Sequence, residues 1–469
     1  MDFNEIVNQY KDKMLEDLKG LLSIESVRGE SKPDAPVGNG PKEALMYMLS
    51  LGERDGMDTK VVDNLAGHIE LGSGDDLFGI LGHVDVVPAG TGWDTDPYNP
   101  VIKDGVIYAR GVQDDKGPTI AAYYAMKILK ELDVPLKQRV RLIVGTDEES
   151  DWLCTDAYFK KEEMPNFGFA PDAEFPVIHG EKGITTFDLV FESDTKAYGD
   201  VVLNKFTSGE RYNMVPESAT ANITVDDADK LKQSFDAFLE EMKLTGDFVK
   251  NEDTVDLIVH GKSAHGSTPL EGKNAGLELL RFLKIISIDQ RAFEFLSFYD
   301  HYIRDNFDGE QFKMDFEHEE MGETSVNTGI VRYDLKGKSY FGVNLRYPLG
   351  MDFKAAIDKL AKEVETYRIT VENISNQVPH YVEKNSPLVK VLTDTYKNYV
   401  EDDTEPFTIG GGTYARVLEK GVAYGAMFKG TKDTMHQANE QMPVDELVLA
   451  TTIYLEALYK ILVEEALVE

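Results

Sequence analysis

The residue that most restricts how this chain can fold is a histidine near its far end, His436. It lies in Asp433-Thr-Met-His-Gln-Ala-Asn-Glu440, which has the makeup of a metal ligand and its polar surroundings. The side chains able to share a metal with it all lie far upstream. They are His83 and Asp85 in GHVDVVP, Asp114 and Asp115 in GVQDDKGP, Glu148 and Glu149 in GTDEES, and Asp172 in APDAEF. These clusters follow β-type apolar runs or sit in the tight loops after them. Ligands of one metal must meet at one point. The last ~90 residues are therefore expected to return to the domain built by the first ~180, with the stretch between them inserted as a second domain.

Composition narrows the possible partners. There are 84 acidic against 49 basic residues, a net charge of −35, and this disfavours nucleic acid and anionic membranes. The single cysteine, Cys154, excludes an internal disulfide and reads as a small buried residue in a reducing compartment. Residues 4–22 are charged throughout and carry Ile6, Tyr10, Met14, Leu18 and Leu21 at helical spacing, so no secretory signal is expected there. No run of about 18 apolar residues occurs to span a membrane. The expected location is the cytoplasm.

The first part of the chain alternates strands and helices. Helices are expected at 1–25 and 42–55, strands near 59–63, 66–71, 77–82 and 140–144, and a helix at 118–132 with Pro118 in its first turn. This order predicts an α/β domain with a mostly parallel sheet, whose site lies at the carboxyl ends of the strands. After about residue 182 the texture becomes α+β. Strands are expected at 186–191 and 219–225, and helices at 227–242 and 273–287. Near 380 the α/β pattern resumes, with helices at 387–399 and 444–465 around Gly410-Gly-Gly-Thr413.

His83 and Asp85 share a face if extended, and a histidine ligand needs its second ring nitrogen held, which Asp85 could do. Asp114-Asp115 precedes a helix, where one aspartate suffices as a cap. The other could bridge two cations, and Asp114 is the candidate. Glu148 and Glu149 repel each other unless a cation or solvent relieves them, and could divide into a ligand and a base. Asp172 and Glu174 both remain open as ligands. A set of His, Asp, Glu, Asp and His suits two Zn²⁺ ions with a water between them.

The ordered motifs GHVDVVPAG, GWDTDPY, ARGVQDDKGP, GTDEES, PDAEFP, HGSTP, GGGTYAR and MHQANE resemble the zinc-dependent dipeptidase and deacylase family of carnosinase, peptidase T and aminoacylase, over nearly the whole chain. The resemblance implies a di-zinc catalytic domain formed by residues 1–182 and 380–469, with an α+β lid, 183–379, of two ferredoxin-like sub-lobes. His83 and Asp172 would bind one metal, Glu149 and His436 the other, and Asp114 both. Asp85 would orient His83, and Glu148 would be the general base for the water between the metals. The Asp114–Asp115 peptide would be cis. In the lid, His265 would stabilise the oxyanion with help from Asn213, and Arg346 would clamp the substrate carboxylate. Gly411, Gly412 and Thr413 would support that carboxylate, since the turn lacks the Lys-Ser/Thr of a phosphate loop.

Two positions depart from the family pattern, Gln113 and Gly266, and both are expected to adjust pocket shape. The expected activity is hydrolysis of dipeptides with free amino and carboxyl termini. It would be carried by a monomer with two divalent ions, zinc by donor set and manganese or cobalt as substitutes. An N-acyl amino acid or succinyl-diaminopimelate deacylase is the alternative within the same machinery. A non-catalytic metal-binding protein would be expected to lack Glu148 or a ligand.

Overall fold

The computed structural model describes residues 1–464 and 467. The chain divides into two compact units. One is Met1–Gly180 with Tyr381–Thr408 and Gly412–Glu469; the other is Glu181–His380 with Ile409–Gly411. Each has its own apolar core. The expected helix 444–465 is seen as Val444–Tyr459 followed by a π turn, Lys460–Glu464; residue 465 lies outside the described residues. Among the described residues no helix is long and apolar enough to cross a membrane.

In the first unit the main sheet runs Asp58–Val62, Ala66–Leu71, Arg139–Gly145, Leu77–His83, Phe167–Ala170, Gly421–Ala423, Ile178–Glu181, His380–Tyr381. The four strands from Arg139–Gly145 to Gly421–Ala423 are mutually parallel, and antiparallel strands flank them. Leu77–His83 is buried at every position, as a continuous apolar run must be when both sheet faces are covered. The helix Lys116–Glu131 is buried from Lys116 to Leu129 and packs against Val444–Tyr459, which brings the chain's last helix onto an early one. Parallel strands end on the same edge about 4.8 Å apart, so the loops after neighbouring strands share one small region.

In the second unit one antiparallel sheet runs Thr245–Lys250, Val255–His260, Ser218–Val225, Val201–Ser208, Ser325–Asp334, Ser339–Tyr347, Gly183–Phe191, Ile369–Gln377. It is two four-stranded halves joined edge to edge between Val201–Ser208 and Ser325–Asp334. The outer half follows a strand–helix–strand–strand–helix–strand path with its last strand beside its first, the ferredoxin-like order. The inner half has the same spatial order from a permuted start and is inserted after Gly183–Phe191.

Candidate metal centre

Three of the site side chains, His83, Glu148 and Asp172, sit at or just past the ends of parallel strands. His83 closes Leu77–His83 and is level with Gly145 in the neighbouring strand, which puts Glu148 three residues beyond the sheet edge. Asp172 follows Phe167–Ala170. Asp114 lies in the turn before Lys116–Glu131, and its peptide bond to Asp115 is cis. His436 follows the strand Ala426–Met427.

These loops bring six side chains together. His83 Nε2 lies 3.0 Å from Asp114 Oδ1 and 3.6 Å from Asp172 Oδ2. His436 Nε2 lies 2.9 Å from Asp114 Oδ2 and 3.0 Å from Glu149 Oε1. The two oxygens of Asp114 thus face different histidines. His83, Asp114 and Glu149 offer ligand atoms within 4.8 Å of one another, and so do His83, Glu148 and Asp172. Proximity alone therefore does not separate Glu148 as base from Glu148 as ligand. Glu174 is exposed and belongs to neither group.

The donor set fits a metal ion. His83 is fully buried, and its Nε2 has no hydrogen-bond partner even though Asp114 Oδ1 is 3.0 Å away. The atoms are close without the alignment of donor and acceptor, as ligands around a common cation would be. The facing acids would otherwise repel. Burial, joined by the nearby Asp172, Glu149 and Asp114 carboxylates, pushes Glu148 well above the usual carboxylate range against the pull of His83. Burial and Asp114 likewise raise Glu149 to about 7. Burial also works to raise Asp114, but the imidazoles of His436 and His83 outweigh it and hold Asp114 low. The same carboxylates, Asp114 and then Glu149, raise His436 to about 11. A cation at this point would replace those imidazolium charges as the partner of the acids.

Backbone anchors orient these groups. His83 Nδ1 meets the main-chain oxygen of Asp85 at 3.0 Å, nearer than the Asp85 carboxylate at 3.4 Å. That carboxylate accepts instead the N–H groups of Glu148 and Glu149, both at 3.1 Å. Asp85 therefore touches both halves of the cluster. Asp115 does not cap its helix with its side chain. Its Oδ2 accepts from the His83 N–H and from Thr119 Oγ1. Gly82 has no room for a Cβ, which would lie 2.2 Å from Thr119 Oγ1. His436 adopts φ +60°, a left-handed conformation that costs a non-glycine residue roughly 1–3 kcal/mol unless its surroundings impose it.

Two supporting residues, Lys116 and Tyr414, gave no signal of a role in the sequence. Buried Lys116 donates to the carbonyls of Leu21 and Ile24 at the end of the first helix, and burial lowers it to about 7. Tyr414 lies edge-on to His83 at 5.8 Å and bonds the Cys154 sulfur at 2.8 Å, so the buried cysteine is a packing partner. Thr413 caps the short helix that carries Tyr414 by accepting the Ala415 N–H. Two further histidines, His68 and His179, are buried away from this cluster. His68 packs against Tyr158, and His179 meets the Val382 carbonyl.

In the second unit, Ser267 N–H points at His265 Nδ1 (3.2 Å), which makes that nitrogen an acceptor and leaves the neutral ring's proton on Nε2. Burial and then the Arg346 charge lower the His265 pKa, which favours that neutral form. Asn213 is fixed from both sides: Asn327 Nδ2 donates to the carbonyls of Tyr212 and Met214, and the Asn213 carbonyl accepts the Gly266 N–H at 2.7 Å. A Cβ on residue 266 would come within 2.9 Å of the Asn213 backbone, so Gly266 lets the two loops touch. Arg346 is buried within its strand, with Nε on Asn344 Oδ1 and Nη1 on the Gly410 carbonyl, both at 2.9 Å. The glycine turn thus meets Arg346 through a carbonyl oxygen at Gly410. Gly411 belongs to this unit, whereas Gly412 and Thr413 belong to the first.

Known proteins resemble the chain over nearly its whole length. The family model described as peptidase family M20/M25/M40 matches residues 79–460. A protein of Staphylococcus saprophyticus subsp. saprophyticus named "Putative dipeptidase" is 52% identical over 464 residues, which is 98% of this chain and 99% of that one. The crystal structure of aminoacylhistidine dipeptidase from Vibrio alginolyticus shares the fold at TM-score 0.58 and 14% identity, covering 95% of this chain and 96% of its own. Human carnosine dipeptidase 1 does so at TM-score 0.54 and 14% identity, covering 97% and 98%. The chain belongs to peptidase family M20/M25/M40 and is a hydrolase of that family.

Proposed function

We propose that the protein is a dipeptidase, hydrolysing dipeptides with a free amino and a free carboxyl terminus at a centre of two divalent cations, zinc by preference with manganese or cobalt as substitutes. The observation that carries the two-ion reading is Asp114, whose oxygens face His83 and His436 separately. His83 and Asp172 would hold one ion, His436 and Glu149 the other, and Asp114 both. Four carboxylates beside two imidazoles leave a negative charge that two divalent ions balance, and mixed nitrogen and oxygen donors suit zinc. When bound, the ions polarise the peptide carbonyl and acidify water. The dipeptide assignment rests on the near full-length likeness to proteins named as dipeptidases.

The chain's own residues supply proton transfer and orientation. Glu148, held by its N–H on Asp85, takes a proton from the attacking water and passes it to the leaving amine. Asp85 keeps His83 in the tautomer with Nε2 available to a metal, because its main-chain oxygen can only accept and so keeps the proton on Nδ1. His265, neutral with its proton on Nε2, donates to the oxyanion, and Asn213 assists. Arg346 pairs with the substrate's terminal carboxylate, its plane set by Asn344 and Gly410. Gly411, Gly412 and Thr413 line the same end of the substrate.

A substrate panel tests the reading. Free dipeptides are expected to turn over, and dipeptide amides and N-acetyl amino acids to turn over poorly. Arg346→Lys is expected to raise KM for free dipeptides by about tenfold or more, because a point charge replaces a two-pronged donor, and to narrow the gap to amides. Preferred cleavage of N-acetyl amino acids would make the protein a deacylase instead.

We assign His265 to its own chain's reaction, in a monomer. Mixing inactive Glu148→Ala with inactive His265→Ala is then expected to restore nothing. Recovered turnover, with a dimer mass in light scattering, would show the residues shared between chains.

A further inference from the structure

The loop that carries Asp114 and the loop that carries His436 grip each other with side chains that belong to neither set of ligands. From the later loop comes Glu440, which is fully buried. Its Oε1 accepts the N–H groups of Gln113 (2.8 Å) and Asp114 (3.2 Å). Its Oε2 accepts the Gly111 N–H (2.9 Å) and Arg110 Nη1 (2.7 Å). From the earlier loop Gln113, itself buried, reaches the opposite way. Its Oε1 accepts from Thr434 N (2.9 Å) and Thr434 Oγ1 (2.7 Å), and its Nε2 donates to the Lys432 carbonyl (2.9 Å). Each side chain thus holds the other loop's backbone within two residues of a proposed ligand: Glu440 at Asp114 itself, Gln113 two residues before His436.

We infer that Glu440 and Gln113 form a two-way clasp whose task is to set the distance between the Asp114 carboxylate and the His436 imidazole, and so the metal affinity of the position those two share. The peptide N–H of Asp114, held by Glu440, fixes the direction in which its carboxylate leaves the chain. The Gln113 bonds to residues 432 and 434 hold the start of the segment in which His436 keeps its left-handed backbone. Both are positioning residues, reaching no substrate and no reacting atom. A buried carboxylate with four donors and a buried amide using both ends are each more than loop packing requires. The inference rests on the proposed metal centre.

The test uses Glu440→Gln, Gln113→Ala and the double variant of the full chain, stripped with a chelator and titrated with Co²⁺ while the visible absorption and the melting temperature are followed. Wild type is expected to take up Co²⁺ with a rise in melting temperature. Each single variant is expected to bind Co²⁺ at one position about 10–100-fold more weakly, the range for partners that orient ligands. The absorption of that position should change, and the rise in melting temperature on loading should shrink. The double variant should lose little more than the worse single one, because either half broken opens the clasp. A role in fold stability alone would lower the melting temperatures of stripped and loaded protein alike and leave Co²⁺ affinity within twofold of wild type, and that result overturns the inference. Losses that simply add would also overturn it, as two independent supports. Should Glu440→Gln fail to fold, Gln113→Ala decides alone, since it leaves all four Glu440 donors in place. A wild type that takes up no Co²⁺ would instead refute the metal centre.

Discussion

Glu148→Gln is expected to lower kcat by about 10²–10⁴-fold while metal content stays at the wild-type level. The amide has nearly the shape of the carboxylate and leaves the Glu148 N–H on Asp85 undisturbed, so the loop keeps its place. What it cannot do is accept a proton from water. The measurement pairs steady-state kinetics with metal analysis of the same preparation, because Glu148 lies within 4.8 Å of His83 and Asp172 and could be a ligand by distance alone. Glu149→Gln is the control: it is expected to lose metal first and activity in consequence, since Glu149 faces His436 at 3.0 Å. A kcat within tenfold of wild type would remove Glu148 from the role of base, and metal lost from Glu148→Gln would make it a ligand.

The convergence of the early clusters on His436 was legible because the local signals were strong. Buried apolar runs such as Leu77–His83 can only be interior strands, and parallel strands place their following loops on one edge. Once His83, Glu148 and Asp172 lie on that edge, a distant histidine with the same chemistry has few other places to go. Gln113 and Glu440 were not legible in the same way. Gln113 stood out only as an unusual side chain and was expected to shape a pocket, whereas it bonds the backbone near Thr434. Glu440 was simply the last letter of a motif. Bonds from a side chain to backbone some 320 residues away leave no periodic trace, because almost any residue type offers the same main-chain N–H or carbonyl.

The same contrast holds in the second unit. Strands mixed with helices announced an α+β domain. The insertion of one four-stranded half inside the other did not show, because strand order is a property of pairing and not of pattern. Gly266 illustrates the limit. A glycine after a histidine suggested altered pocket shape, and the structure gives the physical reason for glycine there: the Asn213 backbone occupies the volume of a Cβ. Asn327 was invisible, since an asparagine inside a strand has no reading of its own until its amide is seen spanning the carbonyls of residues 212 and 214.

Asp114→Ala is expected to weaken both metal positions by more than about 100-fold, beyond the 10–100-fold usual for a residue that only orients a ligand. His436→Ala is expected to weaken one and leave the other nearly intact. The difference follows from geometry: each histidine faces a single oxygen of Asp114, whereas Asp114 faces both histidines. Removing His436 leaves His83, Asp172 and one Asp114 oxygen grouped as before. Removing the Asp114 carboxylate takes a donor from each group at once, together with the charge that two neighbouring cations need between them. The fold should survive both changes, because the loops are held by backbone bonds to Glu440, Asp85 and Asp115 that use neither side chain. Titrating the stripped variants with one divalent ion and counting tight equivalents decides the matter. An Asp114→Ala protein that keeps one tight position would show that its carboxylate serves a single ion, and His83→Ala would then identify which histidine shares it.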